Sequence, residues 1–464
     1  MADLHRTIDA VWRIESARLI ATLARMVRDI GLAEDLAQDA LLAALEKWPA
    51  SGIPDKPGAW LTAVAKNRAI DLLRRHQRLQ QKLEEVGREE GALFEADFTE
   101  NDAALDRDID DEMLSLVFTA CHPLLSLEAR VALTLRVLCS LSTDEIARAY
   151  LLPEATIAQR IVRAKRTLTE ARVPCEAPRG PELANRLGSV LEVIYLIFNE
   201  GYAATSGTDW TRPALCEEAL RLGRIVAGLM PDTSEVHGLV ALMEIQASRL
   251  PARTGPGGKP VLLLDQNRAR WDHLLIRRGL AALERAELAA AGVRAVRLPA
   301  RNSGYGAATV SREGPPPNQA IGPVALGPYA LQAEIAACHA RARTAAETDW
   351  IRIAALYDAL AQSMPSPVVE LNRAVAVAMA YGPEAGLEIV DGLLEDPMLK
   401  NYHLLPSVRG DLLARLNRLP EAAAEFERAA GLTRNNQEQA LLLERAAAAR
   451  SPAPALDKDF EQSS

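Results

Sequence analysis

An all-α fold is what this sequence predicts, and three observations predict it. Apolar residues make up 49% of the chain but aromatics only 4%, and the apolar set is mostly Ala and Leu, which favour helices over strands. Apolar positions recur at three- and four-residue steps, as helices with one buried face require. Helix start and stop residues punctuate those stretches. At 464 residues the chain exceeds what one core usually organises, so two small helical domains followed by a longer helical one are expected.

Residues 8–80 read as the first small domain, with three or four amphipathic helices between Ile8 and Arg78 and a break from Pro49 to Gly58, where Pro, Gly, Ser and Asp cluster. Residues 81–110 follow as an acidic linker. From Glu84 to Glu112 thirteen acids stand against Arg88 and Arg107, and so few large apolar residues cannot hold a core, which predicts a tether. Residues 111–173 form the second small domain. Within it Ser142-Thr-Asp-Glu145 is a capping box, in which hydroxyl and carboxylate each satisfy an unpaired backbone N–H, so a helix should start there. It ends near Tyr150, and Pro153 suits the first position of the next helix, which reaches about Ala171.

Beyond the Pro-rich joint from Pro174 to Pro181, residues 182–450 are again helical in pattern. Gly410, Ala422, Phe426 and Ala429 fall at tetratricopeptide-like spacings, and a 36-residue shift back gives Ala374, Gly386, Val390 and Leu393 in matching slots. Two registered units predict an array of helix hairpins. Residues 289–326 lack helical periodicity and read as a flexible insertion.

The exclusions are equally informative. No run approaches the roughly 20 apolar residues of a membrane span, and the charged start from Met1 to Arg6 lacks a signal-peptide core. No membrane partner and a cytoplasmic location are therefore expected. Five scattered cysteines, Cys121, Cys139, Cys175, Cys216 and Cys338, include no Cys-x-x-Cys pair and read as packed thiols. Cys121 and His122 are adjacent, but neighbours on a helix point about 100° apart and rarely share a metal ion. No nucleophile with a base, metal-ligand spacing or phosphate loop is present, so neither a catalytic residue nor a metal nor any other cofactor is expected, and the chain is read as no enzyme.

A net charge of −9 argues against nucleic acid, since phosphate contacts need cations. The distribution reverses that. Lys66, Arg68, Arg74, Arg75 and Arg78 stand against the single acid Asp71. Their helix opens with Trp60 and carries Asn67, and an aromatic beside cations is the composition that holds single-stranded DNA, although a lone Trp is more often core. On the helix after Pro153, Thr156, Gln159, Arg160 and Arg163 recur on the outer face, with Lys165 and Arg166 beside them, while Ile157, Ile161, Ala164 and Leu168 form the inner stripe. Alone this would be a solvated basic face. Behind a capped helix and a tight turn it fits a major groove.

Four segments in order, Glu34-Asp-Leu-Ala-Gln-Asp-Ala40, the stretch from Gly58 to Asp71 around Trp60, Leu141-Ser-Thr-Asp-Glu-Ile-Ala147, and the stretch from Thr156 to Ala164, resemble the successive signatures of extracytoplasmic-function sigma factors. The resemblance covers about residues 8–172. It implies that Asp35, Gln38 and Asp39 dock on the core RNA polymerase clamp. It also implies that Trp60, Lys66, Asn67, Arg68, Arg74 and Arg75 take a strand of the −10 promoter element, and that Thr156, Gln159, Arg160, Arg163, Lys165 and Arg166 read the −35 element. Ala158 and Pro153 depart from the family pattern, which commonly has a basic residue and a Ser cap there.

The remainder is similar to the tetratricopeptide-like extension of one sigma subgroup, in Asn199-Glu-Gly-Tyr202, in the run from Asp265 to Asp272, and in that from Gly327 to Ala333. Asn199, Glu200 and Tyr202, with Asp265, Arg268, Arg270, Trp271 and Asp272, read as interhelical salt bridges and Trp packing rather than catalysis. The extension is expected to regulate the sigma domains in cis, with an unknown protein or ligand as its partner. The rival reading is a stand-alone helix-turn-helix regulator with a repeat sensor domain, which needs no strand-holding helix around Trp60.

Overall fold

The computed structural model describes residues 2–85, 105–292 and 326–450. Most of the acidic linker and of the insertion expected at 289–326 lie outside the described residues. The described chain is built from eighteen α-helices, as the Ala- and Leu-rich composition predicts. It divides into two compact units, residues 1–197 and 198–464.

In the first unit α1 (Ala2–Val27), α2 (Ile30–Ser51) and α3 (Pro57–Glu85) pack together. Asp29 caps α2 by accepting from Leu32 N. The break expected from Pro49 begins later, because α2 runs through Pro49 to Ser51. Pro49 forgoes one backbone bond near the helix end, and the chain turns only at Gly52, where φ is +81°.

A second group follows: α4 (Leu105–Ala120), α5 (Leu127–Val137), α6 (Thr143–Tyr150) and α7 (Glu154–Glu170). The α6 capping box forms as its sequence predicts, with Glu145 N donating to Ser142 Oγ and Ser142 N to Glu145 Oε2. Leu151 reverses the chain at φ +51°, and Pro153 stands at the N-cap of α7, one place ahead of its expected position. The first half of α8 (Pro181–Tyr202) lies on α4 and α5, where Arg186 donates to Phe118 O at 2.8 Å and Ser189 to Cys121 O at 2.8 Å.

The second unit continues through α9 (Pro213–Leu229), α10 (Ser234–Ala247), α11 (His273–Ala290), α12 (Pro328–Arg341), α13 (Trp350–Ser363), α14 (Pro367–Tyr381), α15 (Pro383–Gly392), α16 (Leu404–Arg415), α17 (Leu419–Leu432) and α18 (Asn436–Arg450). Successive helices pack on one another, and the registered positions are the contact points of the last hairpins. A Cβ on Gly386 of α15 would meet Ala374 O at 2.6 Å, and one on Gly410 of α16 would meet the Phe426 ring at 2.7 Å. The small residue sits on opposite partners in the two hairpins, and each lets the helices approach closely.

The Gly327-Pro-Tyr motif also gains a structural reason. Glu235 on α10 accepts from Tyr329 N at 3.0 Å and Ala330 N at 3.2 Å, satisfying donors at the start of α12. Residues Ser206–Gly207 (β1) pair in parallel with Arg434–Asn435 (β2), which joins the beginning of this unit to its end. Asn435, 1% exposed, donates to Ala204 O at 3.1 Å and Asp209 O at 2.9 Å, and accepts from Gln437 N and Glu438 N.

The five cysteines form no disulfide with one another, four being buried and Cys175 half-buried. Burial pushes Cys121 and Cys175 up to about 11 and Cys216 to about 12, which keeps them protonated and unreactive at neutral pH. Among the described residues no helix is long and apolar enough to cross a membrane.

Candidate nucleic-acid and polymerase interface

α7 divides as its sequence predicts. Ile157, Ile161, Ala164 and Leu168 are buried, which turns Gln159 and Arg163 outward, with Thr156 and Arg160 half-exposed at the margin. Among the described residues no acid lies within ion-pair distance of Arg160 or Arg163. Arg166, also exposed, is held by Glu170 one turn on, at 2.6 Å. The amphipathic split, the α6 cap and the three-residue turn between α6 and α7 together present one cationic face on a fixed support.

On α3, Leu61, Ala65 and Ala69 are buried against the bundle. Trp60 is half-buried and meets the buried Trp48 edge to face, with centroids 5.3 Å apart and planes at 62°. Trp48 thus fixes the ring while leaving part of it open. Trp60, Asn67 and Arg74 are seven residues apart, so they follow one row with about 20° of drift per step. Asn67, Arg74 and Arg75 are exposed and Lys66 half-exposed. Arg68 instead pairs with Asp39 of α2 at 3.2 Å, linking a residue expected at the −10 strand to one expected on the polymerase.

Asp35 and Asp39 project from α2 into solvent, while Gln38 is half-buried and donates to Glu34 Oε1. Glu34 is the residue that sequence reasoning missed. It is 3% exposed and receives Arg136 Nε of α5 at 2.7 Å and Lys165 Nζ of α7 at 2.6 Å. Burial would push its carboxyl up, but the Lys165 ammonium and the Arg136 guanidinium outweigh that and hold it below the usual carboxylate range. Its signal was available: Ile30, Ala33, Ala37, Ala40, Ala44 and Trp48 make a buried stripe along α2, and Glu34 lies on it. An acid in an apolar stripe needs a buried cation.

Lys165 is therefore engaged by Glu34 rather than presented with Arg160 and Arg163. Neighbouring contacts reinforce this junction. Thr169 of α7 donates to Asp29 at 2.6 Å, Arg13 pairs with Glu145 at 3.0 Å, and Thr22 and Arg25 both reach Glu112. Between α2, α3 and α7 lies a cleft of about 810 Å³ whose lining includes Leu32, Asp35, Leu73, Arg74, Lys165 and Arg166. One residue expected at the polymerase, one at the −10 strand and two at the −35 element meet there.

The extension motifs come together differently from expectation. Glu200, buried in α8, pairs with Arg212 and accepts from Thr205 Oγ1 at 2.8 Å, with the half-buried Asn199 preceding it. Asp272 caps α11 through Leu274 N and Leu275 N, while Asp265 and Arg270 are exposed. Arg268 makes no salt bridge with either aspartate. It donates to the carbonyls of His339 and Ala342 and to the Thr348 hydroxyl, because it faces the C-terminal end of α12, where unpaired carbonyls and the helix dipole attract a cation. Trp271 is buried beside it, as predicted.

Known families match three stretches of the chain. Residues 13–79 match sigma-70 region 2, residues 115–168 match sigma-70 region 4, and residues 186–287 match a family of unknown function. An uncharacterised protein of Rhizobium meliloti (strain 1021), R00370, is 39% identical over 426 residues, covering 91% of each chain. The protein named "Probable ECF RNA polymerase sigma factor SigI" of Mycobacterium tuberculosis (strain ATCC 25618 / H37Rv) is 28% identical over 169 residues, 36% of this chain and 57% of the relative. Sigma-factor families are not enzymatic, which agrees with the lack of a catalytic constellation in the sequence. With region 2 built on α1 to α3, region 4 on α4 to α7 and a helical unit behind them, the chain belongs to the extracytoplasmic-function RNA polymerase sigma factors, as a member with a C-terminal extension.

Proposed function

We propose that this sigma factor docks on core RNA polymerase through Asp35, Gln38 and Asp39 of α2. Trp60, Lys66, Asn67, Arg68, Arg74 and Arg75 of α3 take an unstacked strand of the −10 element, and the outer face of α7 reads the −35 element as duplex. The observation that carries this reading is the pair of prepared faces: Trp60 braced on Trp48 at the head of a cationic row, and Arg160 and Arg163 on a capped helix-turn-helix. A base held outside the stack offsets the few kcal/mol that unpairing costs, so the α3 face supports melting as well as recognition.

The two elements are separated, by their names, by about 25 base pairs, or about 85 Å of duplex at 3.4 Å per pair. Glu34 meets Lys165 at 2.6 Å. Both faces cannot read their elements while that junction holds, so engagement with polymerase and promoter requires α2 and α7 to part. Lys165 then joins the −35 set. In this reading the extension biases that opening in cis, and helical arrays offer broad surfaces for a regulating partner.

Purified protein added to core RNA polymerase supports transcription from its cognate promoter in this reading. Specific duplex binding without core, and no transcription with it, would instead mark a stand-alone regulator. For the extension, truncation after α8 keeps the Arg186 and Ser189 contacts and should change promoter activity in cells. Unaltered activity and core affinity would remove the regulatory role.

A further inference from the structure

The extension holds a cluster that neither the promoter nor the polymerase reading uses. Arg249, just past α10, is 5% exposed, and its side chain donates to the neutral Gln246 Oε1. Its guanidinium carbon lies 5.8 Å from the Trp271 ring centroid and 6.0 Å from that of Tyr202. Arg253 lies 3.8 Å from the same Tyr202 ring and 5.3 Å from Trp210. Arg268 approaches Trp271 at 4.9 Å from its other neighbours, and its bonds go to two carbonyls and a hydroxyl. Three guanidiniums thus gather on three aromatic rings.

Among the described residues no carboxylate lies within ion-pair distance of Arg249, Arg253 or Arg268, and the acids on the adjoining helices are committed, Glu200 to Arg212 and Glu244 to Arg224. Arg249 Nε, Arg253 Nε, Trp210 Nε1 and Trp271 Nε1 are all buried without an acceptor. All four are donors. Buried donors are nearly always satisfied in folded proteins, and a buried cation without a partner is costly, so these four N–H groups among three guanidiniums describe the complement of an oxyanion. His339 registers the same field: burial, with Arg249 and Arg268 nearby, pushes it down to about 3. Aromatic faces already occupied by cations leave their edges and remaining surface for a flat apolar group.

We propose that Arg249, Arg253, Trp210, Trp271 and Tyr202 form a binding site for a small organic anion, an oxyanion group carried on a planar apolar body. The oxyanion takes the four unsatisfied N–H groups, and the rings hold the body. Carboxylate and phosphate share this chemistry, and they are separated by experiment. Such a site gives the extension a chemical signal to sense, which the sigma-factor assignment alone does not supply.

The test is calorimetric titration of the full-length protein with benzoate, phenyl phosphate and the neutral benzyl alcohol. At least one of the two anions should bind saturably with one site per chain and at least tenfold more tightly than benzyl alcohol, and whichever binds more tightly identifies the class. Arg249→Met, which fills the same buried space without charge, and Arg253→Gln at the half-exposed margin should each weaken binding at least tenfold. If Arg249→Met loses its helical circular dichroism, Arg253→Gln decides alone. Absence of saturable anion binding, equal affinity for benzyl alcohol, or anion affinity unchanged in the folded variants would each overturn the site. The readout involves no polymerase or promoter, so it stands or falls apart from the function proposed above.

Discussion

Glu34 places a carboxylate on the apolar face of α2, and it stays ionised there because Lys165 and Arg136 close over it. Glu34→Gln keeps the shape and removes the charge, leaving two cations facing a neutral amide. Since both partners are partly exposed, the expected loss is about 1–3 kcal/mol rather than the larger cost of a fully buried pair. Denaturant unfolding of the variant measures it, and adding Lys165→Met should restore part of the loss; strictly additive losses would sink the pairing. The depressed carboxyl fixes the acid side as well: its stabilisation is present above the ordinary carboxylate value of 4.5 and disappears as pH falls through the lower folded value. His339 acts at a milder pH. Its folded value of about 3 lies below 6.5, so the unfolded chain takes up the proton first and the extension should lose stability as pH falls from 6.5 toward 3. His237, also depressed by burial, adds in the same direction. Unfolding midpoints from pH 7 to 4 should show this slope, flattened by His339→Gln; an unchanged slope in that variant would reject the assignment. The exposure of Asp35 and Asp39 follows from the apolar period of α2, which leaves both off its buried stripe. The same period puts Glu34 on the stripe, so its need for a buried cation was legible, but the identity of that cation was not, since Arg136 stands 102 residues away.

At the scale of elements, the α6–α7 pair is the part where local chemistry decides most. The cap, the turn and the buried stripe are written within about thirty residues, which is why their sequence predicts them well. Pro49 misled because a single proline removes one backbone bond without ending the helix at once, and α2 runs on to Ser51. In place of the interhelical salt bridges expected of the Asp265–Asp272 run there are bonds to helix ends, Asp272 at the start of α11 and Arg268 at the end of α12. On α7, Arg163 is exposed and outside any ion pair among the described residues, so Arg163→Ala should leave folding untouched and weaken promoter binding. If it meets a phosphate, the loss will be similar across sequences and the salt dependence shallower by about one ion. If it meets a guanine edge, discrimination at one −35 position will relax by about 1–3 kcal/mol. Binding to promoter variants at several salt concentrations tells these apart, and unaltered affinity throughout would take Arg163 out of the interface.

Over the whole molecule, the sequence conveyed the order of the modules but not the contacts that join them. Region 2 and region 4 look like separate domains on either side of an acidic stretch, yet Thr169 reaches Asp29 across 140 residues and Arg13 reaches Glu145 across 132. Such contacts leave no periodic trace. The same is true of the extension, where hairpin spacing announced the repeats and nothing announced that Asn435 would return to Ala204, 231 residues back. Asn435→Ala strands two carbonyls and two N–H groups in a buried place and should cost about 2–3 kcal/mol. The loss should appear by hydrogen exchange both at β1 and in α18, since the two are joined; protection lost in α18 alone would show the ends to be independent. Open-ended helical arrays lengthen and shorten over generations by copying or dropping a hairpin, because each hairpin touches only its neighbours. Here one more hairpin, or one fewer, would carry Asn435 away from the carbonyls it reaches, so the closure ties the extension to one repeat number.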